Sequence, residues 1–286
     1  MNMNDLRNAR ASDLDAQTGG APREDMVVFE NVSKTYPRQG NSGQATLAVD
    51  SLNVRIKAAE IISILGPTGC GKSTAMNMIA GFESPSTGTV LLGGVPVSKP
   101  GPDRSIVFQQ ASLFPWLTVL ENITLGVKSR GMPEATYLER ARQLLEAVRL
   151  TGFEKHYPYQ LSGGMQQRVQ IARALISEPG VILMDEPFGA LDSQTRLMMQ
   201  ELVLQLWQQY QPTIIFITHD VAEAVFVSDR VLLMSKRPGR VKLAVDIDEP
   251  KPRTQEFITS SRFIEVQSEL LHALRSEVQD AATPAA

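Results

Sequence analysis

The apolar run Ile61-Ile62-Ser63-Ile64-Leu65 passes directly into Gly66-Pro67-Thr68-Gly69-Cys70-Gly71-Lys72-Ser73, and that junction limits the folds open to the chain. A glycine-rich turn of this spacing turns backbone N–H groups inward around phosphate when a strand delivers it and a helix leaves it. Both are present in the sequence: residues 61–65 have the length of a buried strand, and 73–80 read as a helix broken by Gly81. The positive end of that helix adds its dipole to the loop. Lys72 is expected to reach the β- and γ-phosphates of a nucleotide, and the Ser73 hydroxyl, with Thr74 beside it, to serve Mg²⁺ and phosphate.

The whole chain sets wider limits. With 286 residues and 43% hydrophobic content there is material for a large core and an inserted subdomain. A formal charge of -3 gives no overall basic field, so no nucleic-acid partner is expected. No stretch approaches the roughly 18 consecutive apolar residues of a membrane span. Residues 1–23 are polar and lack the apolar centre of a secretory signal, which leads to the expectation of a cytoplasmic location. The lone cysteine, Cys70, has no internal disulfide partner, in keeping with a reducing compartment. Its simplest role is that of a small residue fitting the loop, where alkylation is expected to hinder nucleotide access.

Along the chain, residues 1–24 read as a mobile leader. Strand-like pieces follow at 27–31 and 45–56, suggesting an antiparallel layer ahead of the core strand 61–65, and strands resume at 89–92 and 105–108. Between 119 and 150 apolar residues recur at helical spacing, with Pro115, Gly131 and Pro133 as punctuation, so a helical subdomain is expected over about 110–165. Strands and helices then alternate through 181–184, 194–209, 213–218, a short helix from Val221, and 231–235, which implies a mostly parallel sheet. Residues 246–286 read as a linker followed by a terminal helix over 263–278.

Two further motifs carry chemistry. Val181-Ile182-Leu183-Met184-Asp185-Glu186 is a buried strand ending in two carboxylates, whose burial without a cation or hydrogen-bond partners is costly. Asp185 is expected to hold Mg²⁺, directly or through water, and Glu186 to orient and deprotonate an attacking water. The alternative is that the pair caps the next helix. In Leu161-Ser162-Gly163-Gly164-Met165, Ser162 suits a helix N-cap and the glycines leave backbone donors uncovered for an anion; an ordinary capped helix would read the same way.

Taken in this order, the phosphate loop, the Leu161–Arg168 run (Leu-Ser-Gly-Gly-Met-Gln-Gln-Arg) and Asp185-Glu186 resemble the ATP-binding cassette (ABC) family of ATPases over roughly residues 26–245. The resemblance implies an α/β fold with a RecA-like P-loop core, an antiparallel β subdomain and an inserted α-helical subdomain, the ATPase domain spanning 25–245. It implies that Ser162, Gly163 and Gly164 contact the γ-phosphate bound by an opposite subunit, so that two chains close head to tail around two ATP molecules; a homodimer is expected, although the sequence leaves open whether the two cassettes are identical. It gives Gln109 contact with Mg²⁺ and the attacking water, His219 the γ-phosphate, Asp192 the coupling of the two sites, and Tyr36 stacking on adenine.

The cassette serves three classes of protein, namely transporter motors, soluble ATPases acting on macromolecular assemblies, and ATP-sensing regulators, so hydrolysis alone does not settle the task. The cluster Phe114-Pro115-Trp116-Leu117 stands where transporter cassettes receive a helix of the permease, although such aromatics also pack cores. Thr218-His219-Asp220-Val221-Ala222-Glu223-Ala224 and Met234-Ser235-Lys236-Arg237-Pro238-Gly239-Arg240 resemble the nitrate, sulfonate and taurine importer group. That resemblance implies a peripheral ATPase on the cytoplasmic face of the membrane, partnered by permease subunits and, indirectly, by an external solute-binding protein.

Overall fold

The computed structural model describes residues 24–37 and 45–282; the expected leader therefore lies outside the described residues except for Glu24. A four-stranded antiparallel sheet has the order β2-β1-β4-β5, built from β1 (Asp25–Tyr36), β2 (Thr46–Lys57), β4 (Thr87–Leu92) and β5 (Val95–Pro96). A six-stranded sheet has the order β10-β9-β3-β8-β7-β6, with β3 (Ile61–Leu65), β6 (Arg104–Val107), β7 (Val181–Asp185), β8 (Thr213–Ile217), β9 (Arg230–Met234) and β10 (Val241–Asp246). All its pairings are parallel except β10 on β9.

The central strands β3 and β8 are buried along their whole length, which is why their sequences are nearly unbroken apolar runs instead of alternating ones. Their side chains divide between two cores. Ile62 and Ile64 join Val27, Phe29 and Val49 of the small sheet and Met78 and Ile79 of helix α1 (Lys72–Ala80), while Ile61 and Leu65 face the opposite core with Val169, Leu204 and Val225. The second core is walled by α4 (Gly163–Leu175), α5 (Ser193–Tyr210) and α6 (Val221–Val227). Burial of both faces is complete for these central strands, while β10 and β6 at the sheet edges are partly exposed.

Helices α2 (Val119–Ser129) and α3 (Glu134–Ala147) lie between β6 and β7 in sequence and pack through Val119, Ile123, Val127, Ala141 and Leu144. Thr118 and Glu121 begin α2 with a reciprocal capping box, as their spacing of three residues allows. Buried Asn122 fixes the preceding turn: its amide donates to the carbonyls of Phe114 (3.1 Å), Leu117 (3.0 Å) and Thr118 (3.0 Å), and its Oδ1 accepts from Phe114 N–H (2.8 Å).

The chain beyond 235 is more ordered than its sequence suggests. Strand β10, not expected from sequence, pairs with β9 from Val241↔Met234 to Asp246↔Arg230, and its short alternation lies at the sheet edge just after Pro238-Gly239. The stretch read as a linker contains α7 (Gln255–Ile258), and α8 (Ser261–Ala282) buries Phe263, Val266 and Leu270 in the main core. Arg253 fastens this segment. Only 3% exposed, its guanidinium donates to the carbonyls of Val225 (2.9 Å), Phe226 (3.0 Å) and Ser228 (2.7 Å) at the end of α6, and to that of Glu249 (2.9 Å). Burial pushes its pKa down to about 10, so it stays charged at neutral pH.

Replacing Arg253 by Ala leaves those carbonyls facing a cavity, and each buried acceptor stranded without a charged donor is costly. The expected loss is roughly 2–4 kcal/mol, read as a lower melting temperature together with faster proteolytic cutting near residues 247–260. An unchanged melting curve would contradict this role.

Candidate functional site

The carboxyl ends of β3, β7 and β8 open on the same edge of the parallel sheet, the edge where α/β sheets bind ligands. β3 delivers the loop 66–71. Gly69 and Gly71 hold φ of 77° and 106°, a conformation that side-chain-bearing residues rarely adopt, and α1 starts at Lys72 with no side-chain cap on its first N–H groups. Lys72 is 8% exposed, and its Nζ donates to the carbonyls of Gly66 (2.7 Å) and Pro67 (3.1 Å). The ammonium thus closes the loop on itself.

Beside the loop lies a cleft of about 700 Å³ lined by Thr68, Gly69, Gly71, Lys72, Ser73 and Thr74, with Tyr36, Thr46 and Ala48 contributed by the small sheet and Glu186 and His219 by the strand ends. Gly66, Pro67 and Cys70 of the same loop do not line the cleft. The Cys70 thiol is buried, with the Lys72 ammonium 3.9 Å from its sulfur, and is not part of the cleft lining; burial raises its pKa against the opposing pull of Lys72, so its alkylation is expected to be slow. Tyr36 donates to Glu83 and lies 3.4 Å from Thr74 Oγ1, with the Lys34 ammonium 5.1 Å from its ring centre.

Asp185 ends β7 half-buried, and its pKa is raised by burial first and then by the Glu186 charge, while Lys72 opposes the shift. Glu186 has φ 44°, a strained value for a residue with a side chain, and its N–H donates to Ile217 O (2.9 Å). That backbone anchor turns the carboxylate toward β8, where Glu186 Oε1 lies 3.2 Å from Nδ1 of the exposed His219. The two carboxylates therefore face different surroundings.

Gln109, exposed just past β6, brings its Nε2 within 3.3 Å of where a Cβ on Gly189 would stand. The neighbouring Phe108 carbonyl accepts from buried Gln167 of α4 (3.2 Å), tying this strand end to the helix begun by Ser162. Ser162 caps α4 by accepting from Met165 N–H (3.3 Å). Gly163 and Gly164 stand against Leu191 and Thr195, and neither they nor Ser162 line the cleft of their own chain. Asp192 caps α5 through Gln194 N–H (3.1 Å) and Thr195 N–H (3.0 Å), also outside the cleft.

Sequence reasoning passed over three features of the site. Thr46 and Ala48 line the cleft from β2 but carry no motif, and Arg237 reaches it from the β9–β10 turn. Behind His219, buried Glu223 accepts from Thr218 Oγ1 (2.6 Å), while Arg196 pairs with Asp220 (3.4 Å) and Glu223 (3.6 Å) and donates to Leu191 O (3.1 Å). No sequence periodicity marks that cluster, because its members come from two helices and a strand end.

The groups present fit a nucleoside triphosphate with a hard divalent cation: the first N–H groups of α1, which have no side-chain cap, a buried ammonium, the Ser73 hydroxyl, and a half-buried carboxylate whose charged form a further cation would favour. Such a cation needs few protein ligands, since phosphate and water complete its shell. Among the described residues no group of three or more His, Cys, Asp or Glu is arranged as a metal site.

A family profile described as "ABC transporter" matches residues 49–189. The chain is 47% identical over 252 residues to an ABC transporter ATP-binding protein of Methanocaldococcus jannaschii, covering 88% of this chain and 92% of the relative. It is 44% identical over 252 residues to the taurine import ATP-binding protein TauB of Chromobacterium violaceum, covering 88% and 94%. A dimeric ATP-binding cassette solved in a post-hydrolysis state with ADP and Pi superposes with a TM-score of 0.67 at 34% identity, covering 79% of this chain and 100% of that one.

Because the folded state raises the pKa of Asp185, its ionisation above the ordinary aspartate range disfavours folding. Asp185→Asn is expected to raise the melting temperature of the nucleotide-free protein at neutral pH. The gain should fade as pH falls below that range, where both forms are neutral. The same variant should lose Mg²⁺-dependent stabilisation by nucleotide, and a lower melting temperature without nucleotide would overturn the account of this carboxylate.

Proposed function

The chain belongs to the ABC transporter family of ATP-binding proteins and is an ATPase, and from that premise we propose that it is the motor subunit of an importer for a small anionic solute of the nitrate, sulfonate or taurine type. The observation that carries the catalytic part is the convergence of Lys72, Asp185, Glu186 and His219 on one strand edge, with Ser162, Gly163 and Gly164 outside their own cleft. In this reading the phosphate loop and Lys72 hold the β- and γ-phosphates of ATP, while Ser73, Asp185 and Gln109 serve Mg²⁺, which would supply charge neutralisation at the phosphates. Tyr36 carries the adenine. Glu186 takes the proton of the attacking water, and His219, oriented by Glu186, faces the γ-phosphate.

One chain leaves this site open on the γ-phosphate side. Ser162, Gly163 and Gly164 of a second, identical chain complete it, and Asp192 lies at the meeting of the two. The same reading divides the chain into an ATPase domain over 25–245, a helical insertion at about 110–165, and a terminal segment over 246–286.

The importer part is supported by the TauB likeness and by an exposed aromatic patch. Trp116 is 70% exposed and Phe114 37%, their rings 5.6 Å apart, on the turn that Asn122 holds rigid. Aromatics fixed in place and left in solvent suit a docking partner better than a core role. No described helix is long and apolar enough to cross a membrane, so in this reading permease subunits provide the pathway and hold the ATPase at the cytoplasmic face, with an external binding protein selecting the solute.

Affinity purification from gently solubilised native membranes tests the assignment. Recovery of a multi-span permease whose binding protein raises ATP turnover is the expected result; recovery of soluble partners alone, with full activity, would shift the task to a non-transport ATPase. For the chemistry, Glu186→Gln should retain ATP binding and lose hydrolysis by about 10²-fold or more. Replacing Ser162 by Ala should reduce turnover while the monomer's affinity for nucleotide stays close to wild type.

A further inference from the structure

The turn between β9 and β10 is locked to both walls of the cleft. Gly239 N–H donates to Ala48 O (2.9 Å), and its carbonyl accepts from Asp50 N–H (3.0 Å). Gly239 lies so close to the Cys70 carbonyl that a Cβ there would collide with it. Arg240 pairs with Asp50, and Ser235 Oγ donates to Pro238 O (3.1 Å) while accepting from Arg240 N–H (3.0 Å). The turn therefore bridges the β2 wall, where Ala48 lines the cleft, and the phosphate loop.

Arg237 extends from this turn onto the loop. Its Nε and Nη2 both donate to Gly69 O, at 3.2 and 3.0 Å. A guanidinium has five N–H donors in a fixed fork. The donors not aimed at Gly69 meet no acceptor, and no carboxylate pairs with the cation, among the described residues. An exposed guanidinium with no anionic partner among the described residues, anchored to Gly69 O on the wall of a cleft that also contains Lys72, is suited to phosphate oxygens.

We propose that Arg237 is a nucleotide-binding residue that grips the phosphate chain on its ribose side while remaining anchored to Gly69; the proposal rests on the ATPase reading above. Tyr36 pairs with Thr46 in the small sheet, with Ala48 beside them, and Glu186 lies against His219 at the strand ends of the large one; with the adenine on Tyr36, as proposed above, an arm rooted beside Ala48 and Gly69 meets the portion of the ligand that ATP and ADP share. Arg237 thus strengthens binding of both nucleotides alike, in contrast to groups that act on the γ-phosphate alone.

Fluorescence titration with mant-ATP and mant-ADP, together with melting curves of the nucleotide-free proteins, tests this. Arg237→Ala should weaken both nucleotides about tenfold, the loss of one charge-assisted hydrogen-bonding group, and leave the nucleotide-free melting temperature in place. Arg240→Ala, which removes the turn's pair with Asp50 but nothing in the cleft, should bind close to wild type. Wild-type affinity in Arg237→Ala would overturn the proposal, as would an equal loss in Arg240→Ala or a loss confined to ATP. If the wild-type chain binds neither nucleotide, or Lys72→Ala binds both as well as wild type does, the ATPase reading fails and this proposal with it.

Discussion

The ammonium of Lys72 is nearly buried, and a buried cation must find acceptors. It finds them in the carbonyls of Gly66 and Pro67, the second of which also accepts from Cys70 N–H (3.3 Å), so that the loop is closed from within. The arrangement works only because β3 ends at a fixed height in a sheet buried on both faces and α1 starts immediately beyond the loop. The small sheet and α1 cover one face of β3, and the helices of the main core cover the other. Much of the fold serves to hold this one turn.

The neighbouring strands deliver the remaining charges to the same edge, each in a different environment. Asp185 is held against ionisation by burial, Glu186 is turned by a strained backbone toward β8, and His219 stands exposed beside it. Arg196 and Glu223 join the loop ending at Asp192 to the strand end carrying His219 in one ion-paired block. Gln167 likewise ties the Gln109 strand end to the helix that Ser162 caps. Groups that line the cleft and groups that face away from it are thus joined by direct contacts, an arrangement compatible with the proposed sharing of the site between two chains.

Much of this was legible in sequence wherever chemistry demands a local pattern. The loop 66–73 needs glycines at set positions, the strand before it needs unbroken apolar residues, and Ser162 announces a helix by capping it, whereas the caps at Asp192 and Asp220 emerge only in the structure. Strand β10 was missed because a short edge strand carries little periodic signal, and the stretch after 246 read as a linker because one buried arginine, Arg253, does the fastening. Arg237 stands out in sequence only as part of a motif, since its contact with Gly69 spans 168 residues. The absence of Cys70 from the cleft lining depends on packing against Met234 and the loop's own backbone, which sequence does not display.

The central claim is that one chain carries an incomplete site which a second copy closes. It is tested most directly by measuring ATP turnover per chain against protein concentration, alongside sedimentation to follow association. The account predicts specific activity that rises with concentration as dimers form and falls toward zero at dilutions where the chain is monomeric. Constant activity per chain across that range, with monomers demonstrably present, would contradict it.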